Sequence, residues 1–407
     1  MAALRMASFA TFALLVHVGG TLYITWRLGW PVAGRWRFLM ASAALFYIAL
    51  IPTTFWVMRV DDPNLLHKAM QWTGYLLMGL WSILLAGVLL WDIGRLLLFG
   101  ADQVARLLGR SSVSSVLLPA AAAGRAQAAM ILRLSLFSLG VVLTIWGYVQ
   151  ASAAPKTVQV DIPLRGLPAS LDGLRIVQLS DVHLTPLSTP EETRSLVSQV
   201  NALGPDLIAV TGDLVDGTTT ALREAVTPLA ELSAPLGTWF VTGNHEYYSG
   251  VDLWLAMTET LGWKNLLNEH AVLERGGEKI VVAGVTDVSA QPMGEVHRSD
   301  PKGAIAGAPD AAVRLLLAHQ PKSAVQALDL GFDLILSGHT HGGQFFPWCL
   351  IVPLVQPYSS GYFVEGDTHI YTSRGTGYWG PPNRAGVPTE VTVLRLVAEP
   401  SASATSR

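Results

Sequence analysis

The segment LRIVQLSDVH, residues 174–183, decides how the rest of this 407-residue chain is read. An apolar run of strand length, Leu174–Leu179, passes directly into Ser180-Asp181-Val182-His183, so a strand delivers a carboxylate and an imidazole at its carboxy end. The pattern recurs downstream. Leu207–Val210 ends in Thr211-Gly212-Asp213, and Thr238–Val241 ends in Thr242-Gly243-Asn244-His245-Glu246. Val313–Ala318 ends in His319-Gln320-Pro321, and Leu334–Leu336 in Ser337-Gly338-His339-Thr340-His341-Gly342-Gly343-Gln344. Further strand-length runs at Ile280–Ala283, Ile370–Thr372 and Val391–Leu396 alternate with helical periodicity at Glu191–Leu203, Thr220–Leu232, Val251–Leu261 and Lys322–Leu330. Such alternation argues α/β layers with helices covering sheet faces. In such sheets the carboxy ends of the strands are where sites are built.

Seven donors gather at those ends: Asp181, His183, Asp213, Asn244, His319, His339 and His341. Carboxylates, imidazoles and one amide oxygen, with no thiolate among them, suit divalent Mn, Fe or Zn. The single cysteine, Cys349, excludes a disulfide framework and a thiolate-rich metal site. Seven donors exceed one four-coordinate site and fit two ions sharing a carboxylate. Two ions about 4 Å apart clamp an in-line displacement at phosphorus, lower the pKa of a water between them to make hydroxide, and screen the phosphate's charge.

The ordered set Asp-x-His, Gly-Asp, Gly-Asn-His-Glu, His and Gly-His-Thr-His resembles the calcineurin-like metallophosphoesterase superfamily. The longer strings DGLRIVQLSDVHL, TGDLVD, SGHTHGGQ and SRGTGYWGPPNR look like its membrane-anchored bacterial branch. The resemblance covers about Thr157 to Val397 and implies a four-layer α/β/β/α sandwich around a dinuclear centre. Carried onto this chain, it assigns Asp181, His183 and His341 to one ion and Asn244, His319 and His339 to the other, with Asp213 bridging. It also gives His245 the role of touching the scissile phosphate and assisting the leaving group. The activity it implies is that of a metal-dependent phosphoric ester hydrolase, a phosphatase or a phosphodiesterase.

The amino-terminal part has a different composition. Residues 1–156 carry 12 Lys/Arg against 4 Asp/Glu, whereas residues 157–407 carry 15 against 26. With 51% hydrophobic and only 14% charged residues, the chain is neither disordered nor of the composition usual for a wholly soluble protein. Four uncharged runs, Met6–Trp26, Phe38–Met58, Ala69–Trp91 and Leu134–Pro155, are 21 to 23 residues long, and about 20 apolar residues suffice to cross a bilayer. Trp26, Trp30, Trp56, Trp72, Trp91, Trp146 and Tyr148 gather at their ends as an aromatic belt does. The expected organisation is an all-α four-helix transmembrane region over 1–156, a phosphoesterase domain over 157–400 and a disordered tail over 401–407. Ser111–Gly124 reads as a small-residue loop. The first and third loops hold seven arginines, Arg27, Arg35, Arg37, Arg95, Arg106, Arg110 and Arg125, against Arg5, Arg59, Lys68 and Lys156 on the other side. Positive-inside counting therefore places the carboxy-terminal domain outside the cytoplasm, here of a bacterial inner membrane. His17 and Asp92 are too few for an ion pathway, so the spans read as an anchor.

The leading expectation is a membrane-anchored dinuclear phosphohydrolase whose partners are the bilayer and a phosphoester or lipid head group presented near it. Two readings stand beside it: an enzyme like the UDP-2,3-diacylglucosamine pyrophosphatase of lipid A synthesis with a cytoplasmic site, and a non-catalytic metal-binding scaffold. The second predicts missing ligands, and none is missing. The acidic domain has no basic stripe to follow a phosphate backbone, so no nucleic-acid partner is expected. Asp216 either orients a ligand histidine or caps a turn. Arg374, in a Gly-rich loop, either binds a phosphate or head group or is an ordinary surface arginine. Tyr247 and Tyr248 either wall the site or pack, while His270, His297 and His369 fall outside the strand-end pattern. The apolar segment Phe345, Phe346, Trp348 and Leu350–Leu354 either meets lipid or belongs to the core.

Overall fold

The computed structural model describes residues 2–29, 34–111, 113–114, 122–294 and 297–399. The amino-terminal part is helical: α1 (Ala2–Gly29), α2 (Arg35–Val57), α3 (Leu65–Leu107) and α4 (Ala122–Ala151). Arg35–Val57, Leu65–Leu107 and Gly124–Ala151 are long and apolar enough to cross a membrane; the first uncharged run lies within α1. One boundary differs from expectation. α3 does not stop at Trp91 but continues to Leu107, so Arg95 and Arg106 lie on a helix and not in a loop. No Pro or Gly pair interrupts it, and Asp92, the charge that would end the apolar run, is paired with Arg27 of α1. The loop expected at Ser111–Gly124 falls largely outside the described residues, as do Trp30 and the tail 401–407, although α4 already begins at Ala122.

Two polar girdles mark the ends of the bundle. At one, Tyr23 donates to Asp92 at 2.5 Å, Arg133 donates to the Arg27 carbonyl at 3.1 Å, and the guanidiniums of Arg27 and Arg133 lie 4.7 and 5.4 Å from the Trp91 ring. At the other, Trp72 meets Tyr148 with centroids 5.3 Å apart and Trp56 meets His67 at 5.4 Å. Lys68 and Asp92 are 24 residues apart on α3, about 36 Å at 1.5 Å per residue, which suits a bilayer core of about 30 Å.

The remainder is a sandwich of two six-stranded sheets. Its strands are β1 (Lys156–Leu164), β2 (Arg175–Leu179), β3 (Leu207–Val210), β4 (Thr238–Phe240), β5 (Lys264–Asn265), β6 (Glu269–Arg275), β7 (Glu278–Gly284), β8 (Val313–Leu317), β9 (Leu334–Ser337), β10 (Gly361–Glu365), β11 (Thr368–Thr372) and β12 (Glu390–Ala398). Its helices are α5 (Pro190–Ala202), α6 (Thr219–Val226), α7 (Asn244–Ser249), α8 (Val251–Thr260), α9 (Pro301–Ile305), α10 (Pro321–Ala327) and α11 (Trp348–Val355). The sheet orders are β1-β12-β2-β3-β4-β5 and β10-β11-β9-β8-β7-β6. β2 to β5 run parallel, as do β7, β8, β9 and β11.

Period-two alternation builds the layers. Leu207 and Ala209 of β3, Val313, Leu315 and Leu317 of β8, and Leu334 and Leu336 of β9 enter one core between the sheets. Their neighbours Ile208 and Val210 face a second core with Leu196, Val200, Leu222 and Trp254 of the covering helices. Leu316 and Ile335 face a third with Ala304, Ala324 and Ala327. Three cores separate four layers, α/β/β/α. The helix expected over Thr220–Leu232 divides into α6 and a 3₁₀ turn, Thr227–Glu231, because Pro228 has no N–H to continue the ladder.

The spans pack directly on this sandwich. Arg384 N–H donates to the Gly147 carbonyl of α4 at 3.0 Å, and Trp348 Nε1 donates to Ser82 Oγ of α3 at 2.5 Å. Ile83, Phe345 and Ala385 share an apolar cluster with Leu143 and Trp348. Glycine is required at one point where the two parts cross, since a Cβ on Gly147 would collide with the Asn383 amide; at Gly79 the approach is tight, a Cβ lying 3.3 Å from Pro381.

Candidate metal centre

All seven donors lie at the carboxy ends of parallel strands: Asp181 and His183 after β2, Asp213 after β3, Asn244 after β4, His319 after β8, and His339 and His341 after β9. Three groupings, each with ligand atoms within 4.8 Å of one another, bring together Asp181, His183 and His341; His183, Asp213 and His245; and Asp213, His319 and His339. Asp213 thus stands between two clusters, with Oδ2 3.8 Å from His183 Nε2 and 3.0 Å from His319 Nε2. All these side chains are buried or nearly so; Asn244 Oδ1 is buried without a hydrogen-bond partner, and His319 Nε2 faces only the Asp213 carboxylate. Orphaned polar atoms of this kind are costly unless something else satisfies them. Nitrogen and oxygen donors converging on one another, with the Asn244 amide oxygen unsatisfied, fit a pair of divalent cations.

The backbone carries the same signal. Of the eight non-glycine residues with left-handed φ among the described residues, five are candidate ligands: Asp181 (53°), His183 (50°), Asp213 (53°), His339 (68°) and His341 (51°). Each such residue costs on the order of 1–3 kcal/mol, and such strain clusters at functional sites. Glycines make room for the bends: a Cβ on Gly338 would strike Ser180 and Asp181, and one on Gly243 would strike Asp213.

Outer partners orient the rings. Asp216 accepts from His183 Nδ1 at 3.0 Å and from His245 Nδ1 in a shorter contact, so it positions both histidines and does not cap a turn. The Thr211 carbonyl holds His319 Nδ1 at 2.7 Å, which aims Nε2 inward. Glu246 accepts from the N–H groups of Asp213, Leu214 and Gly243 at 3.0, 2.7 and 2.6 Å, tying the β3 loop to the β4 loop. Sequence reasoning missed Arg384. It is fully buried and donates to His341 Nδ1 at 2.8 Å and to the Arg374 carbonyl at 2.8 Å; its only sequence signal was the string SRGTGYWGPPNR. Asp287, buried after β7 with Oδ2 unpartnered, was also missed. Arg374 is committed elsewhere: its Nε and Nη2 lie 2.6 and 2.5 Å from buried Glu390, a pairing that competes with phosphate binding. Tyr248 and Trp379 flank the His245 ring at 5.2 and 5.9 Å, while Tyr247 is buried.

The electrostatics divide the imidazoles. Burial lowers the pKa of His245, but the carboxylates of Asp216 and Asp213 outweigh it and hold the ring at about 9, protonated at neutral pH. Burial dominates at His341, which Arg384 also disfavours as a cation, so its pKa falls to about 4 and the ring is neutral at neutral pH. Burial and the neighbouring His319 likewise depress His339. Burial opposes ionisation of Asp213, yet His319, His245 and His183 overcome it and keep the carboxyl well below the usual range.

A two-sheet α/β sandwich with Asp, His and Asn donors crowded at one strand edge defines the class: an α/β/β/α fold with a candidate site for divalent cations. The calcineurin-like phosphoesterase family profile matches residues 174–343. A zebrafish (Danio rerio) transmembrane protein with a metallophosphoesterase domain is 41% identical over 263 residues, 63% of this chain and 60% of that protein. A Helicobacter pylori metallophosphoesterase is 37% identical over 265 residues, covering 64% and 69%. One from Bacillus subtilis is 33% identical over 249 residues, covering 59% and 85%. The chain spans about three fifths of the vertebrate relatives it matches, 60% and 61% for the zebrafish and cattle (Bos taurus) proteins. It belongs to the calcineurin-like metallophosphoesterase family, whose relatives here include vertebrate as well as bacterial proteins.

Proposed function

We propose that the protein is a membrane-bound, metal-dependent phosphohydrolase that cleaves a phosphoester or pyrophosphate bond presented at the membrane. The observation that carries this is the strand-edge cluster: seven donors, five on left-handed backbone, with Asn244 Oδ1 buried and unpaired and His319 Nε2 facing only Asp213. Asp181, His183 and His341 would hold one divalent ion, Asn244, His319 and His339 a second, and Asp213 would serve both. Bound there, two such ions supply a nucleophile from water near neutral pH and neutralise phosphate charge.

This chain's residues do the rest. Water adds to phosphorus in line and releases one proton to solvent, the bond to the leaving oxygen breaks, His245 Nε2 gives that oxygen its proton, and the ring is reprotonated from solvent. Asp216 on Nδ1 fixes the ring so that Nε2 faces the cluster, 3.9 Å from Asp213 Oδ2. Two features favour a substrate at the membrane: Trp379 bridges His245 and Phe55 of α2, and the spans touch the loops around His341. The girdle of Arg27, Asp92 and Arg133 lies at the end of the bundle away from the domain, which together with the arginine count supports an extracytoplasmic site. The test is full-length protein given Mn, Fe, Zn or Mg and assayed on aryl phosphate monoesters and diesters. Metal-dependent turnover lost in His245→Ala and Asp213→Asn supports the reading; metal binding without turnover on any phosphoester supports a scaffold.

A further inference from the structure

The exposed surface of α11 meets no partner among the described residues and lies at bilayer depth. Leu350, Ile351, Leu354 and Val355 are 63, 44, 81 and 69% exposed, in a stretch, Gly342–Val364, that contains no Lys, Arg, Asp or Glu. Its depth follows from α3. Trp348, the first residue of α11, is hydrogen-bonded to Ser82, which lies 14 residues from Lys68 and ten from Asp92. At 1.5 Å per residue, that is about 21 Å and about 15 Å from the two girdles, near the middle of the apolar zone. The antiparallel neighbour agrees: Leu143, in the same cluster, sits inside the uncharged stretch of α4.

The local backbone suits that environment. Within lipid, main-chain polar groups must be satisfied internally, and Cys349 and Leu350 N–H donate to the Phe345 and Pro347 carbonyls at 3.2 and 3.0 Å. The irregular loop beside it, residues 380–385, is buried against α3 and α4 and not open to lipid. α11 leaves the metal loop only a few residues after His341. From the spans, Phe55 and the 42% exposed Trp379 form an aromatic path to the His245 ring.

We infer that α11 is inserted in the lipid bilayer beside α3, and that the metal centre draws its substrate from that leaflet: a lipid phosphoester whose acyl chains stay in the membrane while its head group reaches His245. The insertion stands on geometry alone; the substrate class rests on the phosphohydrolase reading above.

Both parts are tested on full-length protein in lipid nanodiscs. In a Cys349→Ser background a nitroxide is attached at Leu354→Cys and, as an aqueous control, at Arg194→Cys. Insertion requires residue 354 to be relaxed more by oxygen than by a water-soluble nickel chelate, and residue 194 the reverse; equal nickel access at both overturns it. The same discs carry phosphatidate or phosphatidylglycerol, with glycerol phosphate, glycerophosphoglycerol and an aryl phosphate as water-soluble probes. Wild type should prefer the lipid over its free head group by at least about tenfold in kcat/KM. Leu350→Ser with Leu354→Ser should remove that preference while leaving aryl phosphate turnover within about twofold. Aryl phosphate turnover without lipid preference overturns the substrate inference alone, whereas no turnover on any probe overturns the phosphohydrolase reading and leaves insertion to be judged by the nitroxide.

Discussion

His245 stands between two carboxylates with different work: Asp216 orients it, and Asp213 faces its other nitrogen. Removing the imidazole should therefore leave the metals in place. His245→Ala is expected to keep two ions per chain by elemental analysis while kcat falls about 10²- to 10⁴-fold, whereas Asp213→Asn should lose metal and turnover together. Because the pKa is raised, to about 9, the ring is protonated below that value and loses its proton above it. Bound cations oppose the proton, so kcat should fall as pH rises through a value at or below 9, and that alkaline limb should vanish in His245→Ala. The ligand backbone makes a separate claim. If the left-handed φ of 68° at His339 is strained, metal-free His339→Gly should be more stable than metal-free His339→Ala by about 1–2 kcal/mol, read as a higher melting temperature. Equal melting would show that the turn is not strained.

At the scale of elements, the strands that feed the centre were legible in the sequence because burial on both faces makes them continuous apolar runs. Leu207–Val210 matches β3 residue for residue, and the runs at β2, β4, β8 and β9 differ by a residue or so. The missed strands, β1, β5, β6 and β10, lie at or beside sheet edges and carry charge; β6 reads Glu-His-Ala-Val-Leu-Glu-Arg and is nowhere fully buried. The seven donors could be found because each follows its strand directly. Arg384 could not, since its place against His341 depends on a loop held by residues more than 200 positions away. That loop is the element to test. Gly147→Val should push Asn383 aside and draw Arg384 off His341, lowering metal content toward one ion per chain, while Gly100→Val, at a helical glycine with nothing within 4 Å, should change nothing. Two tightly held ions in Gly147→Val would show that α4 is only a tether.

For the molecule as a whole, the basic helical part and the acidic sandwich form one assembly, joined by the Arg384–Gly147 and Trp348–Ser82 hydrogen bonds and the cluster around Ile83 and Phe345. In the sequence the helices read as an anchor because spans alone carry no chemistry; their contacts with residues 379–385 appear only in the folded chain. A fragment starting at Thr157 should consequently expose Phe345, Trp348 and Ala385 and hold metal less tightly than the full chain, which equilibrium dialysis against a chelator would show. The most direct test of the central claim is metal stoichiometry coupled to turnover in full-length protein, stripped of metal in nanodiscs and titrated with Mn, Fe or Zn. Phosphoester hydrolysis should be absent from the stripped protein and rise to a plateau at two ions per chain. A folded protein that binds no divalent metal, or that hydrolyses phosphoesters equally well without it, would contradict the account.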